Sequence, residues 1–251
     1  MMKCLKLLLL VMVLFACGKK SEPSKIPTDI GTVATETTAT AASTSPISHA
    51  NCAYSNAVAS LGIGVISTPE EFTLFNDSLL TEKAGSWQVH NEKHPVNFCA
   101  KFNKPDYGIL HFVCLKKTAT SFQVLINYDD IRYVANTQDY VFQTWEDYIL
   151  SGFGVRREPD DQRSLNTLPL RREPGVYADT LTIPKGHELF CPVEVSGDWV
   201  KVRYDCFYND ENNKYEGEPC HNYINQCTDP LAGWIRWRDK NTLLIAIFLM
   251  P

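Results

Sequence analysis

Beyond residue 51 the chain consists largely of short stretches in which apolar and polar residues alternate. In Trp199–Arg203 the two valines fall on one side of an extended strand and the polar residues on the other. Gly233–Arg238 repeats this alternation. Helical signals are sparse, and only Pro69–Phe72 and Thr144–Leu150 indicate a turn of helix. This pattern predicts an all-β fold.

Two pairs of apolar runs are typical of β-hairpins. In each pair a short polar segment separates two runs rich in β-branched and aromatic residues. The first pair is Ile109–Leu115 with Phe122–Ile126, and the second is Glu188–Val195 with Trp199–Tyr204, joined by a turn at Ser196–Asp198. A final strand over Thr242–Phe248 closes the predicted fold.

The first 17 residues have the pattern of a bacterial lipoprotein signal peptide. Lys3 and Lys6 precede an apolar run over Leu7–Phe15, which is too short to span a bilayer as a helix. The run ends in Leu14–Gly18, which resembles a lipobox and makes Cys17 the predicted lipidation site. Acyl chains on the Cys17 sulfur would anchor the mature chain to a membrane. The alternative is an ordinary secretory signal with a cysteine there by chance.

Residues 18–50 are predicted to form a disordered tether. The segment is almost entirely Thr, Ala and Ser around residues 32–46, and this composition buries too little apolar area to offset the entropy of ordering. The tether would connect the membrane anchor to the folded part of the chain.

The net charge of the chain indicates which class of binding partner to expect. The chain has 24 Lys and Arg against 29 Asp and Glu, a formal charge of -5. Loss of Lys3 and Lys6 with the signal peptide would leave 22 against 29, or -7. Nucleic acid is therefore not expected as a partner, because phosphate binding needs clustered cations. The pairs Arg156–Arg157 and Arg171–Arg172 flank acidic residues and are interpreted as solvated loops.

The second half of the chain resembles the bacterial SH3 domain family. The resemblance covers residues 165–251 and implies a small β-barrel with a ligand groove. It departs from the family at residues 205–231, which form an insertion between two strands. The motifs that carry the resemblance are Gly197–Arg203, Gly233–Ile235, Leu168–Pro174 and Ile183–Gly186.

The same plan of elements recurs in residues 51–160. Gly108–Cys114 corresponds to Gly186–Cys191, and Phe122–Ile126 corresponds to Trp199–Arg203. Two SH3-like barrels in tandem are the predicted architecture, and a generic β-sheet domain remains the alternative for the first.

Cysteine usage favours disulfides, because a secreted chain folds in an oxidising compartment. Three cysteines lie in or beside the insertion, and the predicted bond is Cys206–Cys227, where the loop leaves and rejoins the sheet. Cys220–Cys227 is the alternative. A zinc set of these three cysteines with His221 fits less well, because its spacings lack a knuckle. An odd number of cysteines leaves a free thiol, for which buried Cys114 or Cys191 is suitable.

Alternation along the predicted strands defines a candidate binding surface. If Val200, Val202, Ile235 and Trp237 face the core, four other side chains point outward together. An exposed surface of tryptophan and arginine suits a peptide or glycan. The alternative is that the tryptophans pack under the insertion or against the first domain. The candidate ligand-binding residues are Trp199, Trp234, Arg203 and Arg236.

No complete catalytic set or cofactor motif is found in the sequence. Cys206 follows an aspartate as a cell-wall peptidase nucleophile does, but Phe207 and Tyr208 replace the expected Ser-Gly. The expectation is a non-catalytic envelope lipoprotein facing the periplasm, without a metal or cofactor, that binds cell-wall peptide or a partner protein. An assembly role without its own groove and a cell-wall hydrolase that would use Cys206 are the alternatives. Asp77–Leu79 and Asp179–Leu181 resemble an O-glycosylation pattern of Bacteroidetes envelope proteins, which suggests a lipoprotein of that type.

Overall fold

A computed structural model describes residues 56–90 and 100–250 of the chain. These residues belong to one compact unit that covers residues 47–251. The predicted signal peptide, the lipidation site Cys17 and the tether at 18–50 lie outside the described residues.

Strands dominate the described residues, which confirms the all-β prediction. The strands are β1 Gly64–Ser67, β2 Glu71–Phe75, β3 Lys83–Gln88, β4 Phe102–Lys104, β5 Ile109–Lys117, β6 Ser121–Leu125, β7 Ile131–Ala135, β8 Val141–Thr144, β9 Gly154–Arg157, β10 Leu170–Arg171, β11 Thr180–Leu181, β12 Phe190–Ser196, β13 Trp199–Tyr204, β14 Ala232–Arg236, β15 Arg238–Asp239, β16 Thr242–Leu243 and β17 Ile245–Phe248. Short 3-10 turns cover Pro105–Tyr107, Leu165–Thr167, Cys220–Asn222 and Ile224–Gln226.

The α-helix α1, Trp145–Leu150, begins where the sequence indicated a helical turn. The Thr144 hydroxyl caps it by accepting a hydrogen bond from the Asp147 N–H at 3.1 Å. The other predicted helical turn, at Pro69–Phe72, is wrong, because β2 begins there and buries Phe72 against the sheet. No helix among residues 56–90 and 100–250 is long and apolar enough to cross a membrane.

Two large sheets share one strand order. The first sheet runs β3-β2-β7-β6-β5-β1-β8, with β4 added beside β5, and the second runs β11-β10-β14-β13-β12-β9-β17. Strands at matching places occur in the same order along the chain, and the neighbouring strands are antiparallel in both sheets. β15 and β16 form a separate small pair.

The two sheets also share a β-bulge. The register of β5 against β6 shifts after Cys114, and that of β12 against β13 shifts after Pro192. When the bulges are aligned, core positions of one sheet match core positions of the other, and all of these side chains are at most 1% exposed. The matched pairs are Leu74 with Leu170, Phe122 with Val200, Val124 with Val202, and Val134 with Ile235.

One apolar core contains residues of both sheets. Val65 and Val113 of the first sheet belong to the same buried cluster as Val155 and Val202 of the second. Helix α1 contributes Trp145, whose ring centroid lies 5.7 Å from that of Trp237 in the second sheet. The second sheet begins with β9, before the predicted start at residue 165.

The interpretation of Arg156–Arg157 as a solvated loop is wrong, because both residues lie in β9. Arg157 is 8% exposed and forms an ion pair with Glu188 at 2.6 Å. Its guanidinium also donates to the carbonyls of Leu165 and Leu168 at 3.0 and 2.9 Å. Burial of this cation is tolerated because every part of the guanidinium finds an acceptor.

Of two disulfides in the second half of the chain, one closes the base of the insertion at 205–231 and the other attaches the insertion to the second sheet. The predicted Cys206–Cys227 bond is present. The second bond joins Cys191 to Cys220, so the alternative Cys220–Cys227 bond, the zinc set and a free Cys191 are all wrong. Cys114 is a buried free thiol. Around the disulfides the insertion has a small apolar core that includes Tyr223, whose hydroxyl donates to the Asp205 carboxylate at 2.8 Å.

Candidate functional site

In strands β13 and β14, alternate residues face the core, as the sequence predicts. Val200, Val202 and Ile235 are at most 1% exposed, and Trp237 is 2% exposed. The opposite face carries the candidate binding residues in neighbouring rows of the sheet, since Trp199 pairs with Arg236 and Lys201 pairs with Trp234. Although these four side chains lie on the same face of the sheet, they differ in burial and in the residues that they contact.

Trp199 and Arg236 line one groove, called here the Trp199 groove. Its volume is about 170 Å³, and its walls come from the segment before β10, the β10–β11 loop and the strands β13 and β14. Trp199 is half-buried there, so part of its indole remains open to a ligand. The other residues that define the groove are Arg163, Leu168, Arg171, Val176 and Asp239.

Positive charge prevails in the Trp199 groove. Arg163, Arg171 and Arg236 line it, and Asp239 is the carboxylate among its lining residues. Asp239 accepts from Arg236 at 3.0 Å, and Asp160 forms an ion pair with Arg163, so carboxylates neutralise two of the three cations. A guanidinium binds a carboxylate through two parallel hydrogen bonds. The groove therefore suits a ligand that carries a carboxylate next to an apolar or planar group.

The β10–β11 loop forms an open rim of the groove. Arg171 donates a hydrogen bond to the carbonyl of Ala178 and so ties the loop to the edge of the sheet. At the loop's tip, Val176 is 50% exposed and Tyr177 is 98% exposed. Exposed apolar side chains beside a charged groove are typical of a recognition surface.

Trp234 lies outside the Trp199 groove and is buried, at 8% exposed. Its strand β14 is flanked by β10 and β13, so it has neighbours on both sides. Lys201 lies across the ring, with Nζ 5.8 Å from a ring centroid, and is itself paired with Glu194 at 3.5 Å. Trp234 is therefore on the predicted face but is buried, with the side chain of Lys201 lying over it.

Arg203 is also separate from the groove. Its Nη1 donates to Oδ1 of Asn225 in the insertion at 2.8 Å. Arg203 therefore helps to position the insertion, and it does not line the cavity that contains Trp199.

The sequence interpretation missed Arg163, Arg171 and Asp239. Arg171 was visible as half of an arginine pair but was assigned to a solvated loop, whereas it lies in β10 opposite Trp234. No local pattern reveals that pairing, because the two residues are far apart in the chain. The Leu168–Pro174 motif was the available signal, since it resembles an SH3 strand.

Two chemical alternatives can be checked against the same geometry. Cys206 is bonded to Cys227, so its sulfur is not available as a nucleophile in this structure. Within the part of the chain that the structure describes, no group of three or more His, Cys, Asp or Glu side chains is arranged to hold a metal ion.

Comparison with known proteins adds no identification. No protein-family model, curated protein or solved structure matches the chain. Function is therefore argued from the residues and geometry of the Trp199 groove.

Proposed function

We propose that this chain is a lipid-anchored lipoprotein of the bacterial cell envelope and a non-catalytic, SH3-like binding module. Its ligand is a carboxylate-bearing cell-wall peptide or a segment of a partner protein, bound in the Trp199 groove. The observation that carries the proposal is the half-buried Trp199 next to Arg171 and Arg236 in one groove.

A tandem of SH3-like barrels is part of the proposal. The motifs Gly197–Arg203 and Gly233–Ile235, which resemble the bacterial SH3 family, lie on β13 and β14 beside the groove. Two units with the same fold must have the same strand order and the same register between strands. The two sheets meet this requirement, including the position of the bulge.

A cell-wall peptide suits the charge of the groove, whose volume of about 170 Å³ would hold one part of the peptide. Such peptides carry free carboxylates on short, extended backbones. The arginines would bind the carboxylate, and the indole of Trp199 would pack against an aliphatic part of the peptide. The exposed Val176 on the rim adds apolar contact.

The envelope location rests on the sequence of the first 17 residues. Lys3, Lys6 and the apolar run that ends before Cys17 support a lipoprotein signal. Mass spectrometry of the membrane-extracted protein tests this. We expect a diacylglycerol-modified N-terminal Cys17 and its loss in Cys17→Ser, whereas an unmodified Cys17 contradicts the anchor.

Binding is tested by retention of the purified full chain on insoluble peptidoglycan. We expect the chain to be retained and Trp199→Ala and Arg236→Gln to weaken retention about tenfold or more, because each removes a groove contact. Tyr107→Ala is the matched control, since Tyr107 is 67% exposed and follows β4 in the first sheet. Equal retention of all variants would contradict a wall ligand at this groove.

The second candidate function is an assembly lipoprotein without its own ligand. The burial of Trp234 and the contact of Arg203 with the insertion favour it, because both are structural uses of predicted binding residues. Under this alternative the groove variants leave peptidoglycan retention unchanged. Zymography addresses the hydrolase alternative, and we expect no clearing.

A further inference from the structure

A second cavity lies where the two sheets meet, away from the Trp199 groove. Its volume is about 380 Å³. Helix α1, β4 of the first sheet and β9 and β17 of the second contribute to its wall. Ligand sites are frequent at such junctions, because two packed units leave concave space between them.

Cations outnumber anions around this junction cavity. Lys101, Lys104 and Arg156 line it, and Glu158 is the carboxylate among the lining residues. Lys101 Nζ donates to Oδ1 of Asn56 at 3.2 Å, and Arg156 Nε lies 3.5 Å from Oε2 of Glu158. The balance favours an anionic ligand.

Burial has already weakened the hydration of Lys101. Desolvation lowers the pKa of Lys101 to about 8, and the negative charge of Glu158 opposes this shift. The ammonium group remains mostly protonated at neutral pH. A bound carboxylate would stabilise the charged form further, so the site gains electrostatic energy when it is filled.

The rest of the cavity wall is apolar and uncharged. Phe102 and Phe248 line it together with Tyr148, and Arg156 lies over the Phe248 ring at 5.7 Å. The Tyr148 hydroxyl is hydrogen-bonded to Nδ1 of His111 at 3.0 Å. Burial lowers the pKa of His111 to about 4 and raises that of Tyr148, so both are neutral at pH 7. This wall suits an aromatic or aliphatic body.

One buried carboxylate oxygen in the wall can accept a further hydrogen bond. Oε2 of Glu158 is shielded from solvent and lies 3.5 Å from Nε of Arg156, an ion pair whose geometry does not form a hydrogen bond. A carboxylate oxygen has lone pairs for more than one donor. A ligand with an O–H or N–H group next to its anionic head would satisfy it.

We propose that the junction cavity binds a small organic carboxylate with an aromatic or aliphatic body. Lys101 and Arg156 hold the carboxylate, and Phe102, Tyr148 and Phe248 enclose the body. A donor group on the ligand, where present, bonds to Glu158. The site is independent of the Trp199 groove, because the two share no lining residue.

Fluorine NMR of the full chain with 4-fluorophenylacetate as the probe tests the proposal. We expect saturable broadening of the probe signal at millimolar concentration. 4-Fluorophenylacetamide has the same body without the charge, and trifluoroacetate has the charge without the body. We expect each of these two compounds to bind at least about tenfold more weakly than 4-fluorophenylacetate.

Variants locate the probe. Lys101→Met is expected to weaken binding about tenfold, and Ala246→Phe is expected to abolish it by filling the cavity beside Arg156. Lys185→Met is the control, because Lys185 is exposed in the loop before β12. Trp199→Ala is expected to bind the probe normally, which separates this site from the proposed wall-peptide groove.

Binding should also depend on pH. Affinity is expected to fall between about pH 7 and pH 9, where Lys101 loses its proton, and to stay level in Lys101→Met. Among the described residues, Lys104, Arg156 and Glu158 are the other charged groups that line the cavity. Equal affinity for acid and amide, unchanged binding by Lys101→Met with an intact fold, or no binding at millimolar probe would each overturn the proposal.

Discussion

The two sheets have the same strand order and register, but they carry different side chains at one equivalent pair of outward positions. When their bulges are aligned, Trp199 and Arg236 of the second sheet correspond to Ser121 and Ala135 of the first. Ser121 is 1% exposed, and its hydroxyl donates to the carbonyl of Ser78 in the β2–β3 loop at 3.0 Å. In the first sheet this loop contacts the end of β6, whereas the equivalent β10–β11 loop borders the Trp199 groove.

This difference shows which positions the fold constrains. Inward positions such as Val124 and Val202 are both 0% exposed, because each must fill the core. Outward positions are free to change, and a small residue lets the loop approach while a large aromatic keeps it away. At this place the second sheet has an open groove, whereas in the first sheet the loop is hydrogen-bonded to Ser121.

Cross-linking is the other contrast between the two regions. Both disulfides in the described part of the chain belong to the second sheet and its insertion. The corresponding connection in the first sheet, between β6 and β7, is short. A long connection needs additional restraint, because its freedom in the unfolded chain is larger.

The largest expected effect tests whether the sheets are independent at all. Trp237→Ala should lower the free energy of unfolding by about 3–5 kcal/mol, because it leaves a cavity beside Trp145 in the shared core. Denaturant unfolding followed by far-UV circular dichroism measures this. A single unfolding transition is expected in the wild type and in the variant. Two separate unfolding transitions in the wild type would show that the sheets unfold independently.

Removal of one disulfide should sharpen the contrast in cross-linking. The double variant Cys191→Ala/Cys220→Ala opens a loop with a sequence separation of 29, and the chain-entropy model gives a loss of about 3–4 kcal/mol. Hydrogen exchange mapped by mass spectrometry should show faster exchange in the insertion. Equal acceleration in β5 and β6 would contradict a local restraint.

Acid should affect the first sheet through His111. The folded pKa of His111, about 4, lies below the ordinary histidine pKa of 6.5, so the unfolded chain binds more protons between these values. Stability is therefore lost as the pH falls from about 6.5 to 4, by up to about 3 kcal/mol. His111→Asn should flatten this dependence in thermal melts. His221→Gln, an exposed position in the insertion, is the control and should leave it unchanged.

The smallest effect on stability comes from giving the second sheet the outward residues of the first. Trp199→Ser with Arg236→Ala should abolish peptidoglycan retention while it lowers stability by about 1–2 kcal/mol, since the indole is only half-buried and the ion pair lost with Asp239 is partly exposed. Arg203→Ala is the matched control, because Arg203 lies on the same face outside the groove. Loss of retention in this control too would place the ligand along the whole face.

Local patterns sufficed for much of the framework. Alternation identified β13 and β14, and the segment Ser196–Asp198 predicted the turn of the second hairpin. Gly197 has a φ of 57° there, a conformation that glycine adopts without strain. The Cys206–Cys227 bond was also predictable, since its cysteines border the insertion. β9 was missed because its arginines suggested solvent exposure.

The candidate site was only half predictable. Alternation assigns a face to each residue, and it did so correctly for Trp199 and Arg236. It does not report what lies across that face, so it could not distinguish half-buried Trp199 from buried Trp234. Arg163 and Arg171 reach the groove from a different part of the chain, and this proximity depends on strand pairing.

The amino-acid sequence by itself determined the all-β class, the strands with their inward faces and one disulfide, because these depend on neighbours in the chain. Tertiary structure alone decided the shared core, the Cys191–Cys220 bond, the groove around Trp199 and the junction cavity around Lys101. Each of these depends on pairings between distant segments. Such pairings are set by the packing of the whole chain, and no local pattern of residues encodes them.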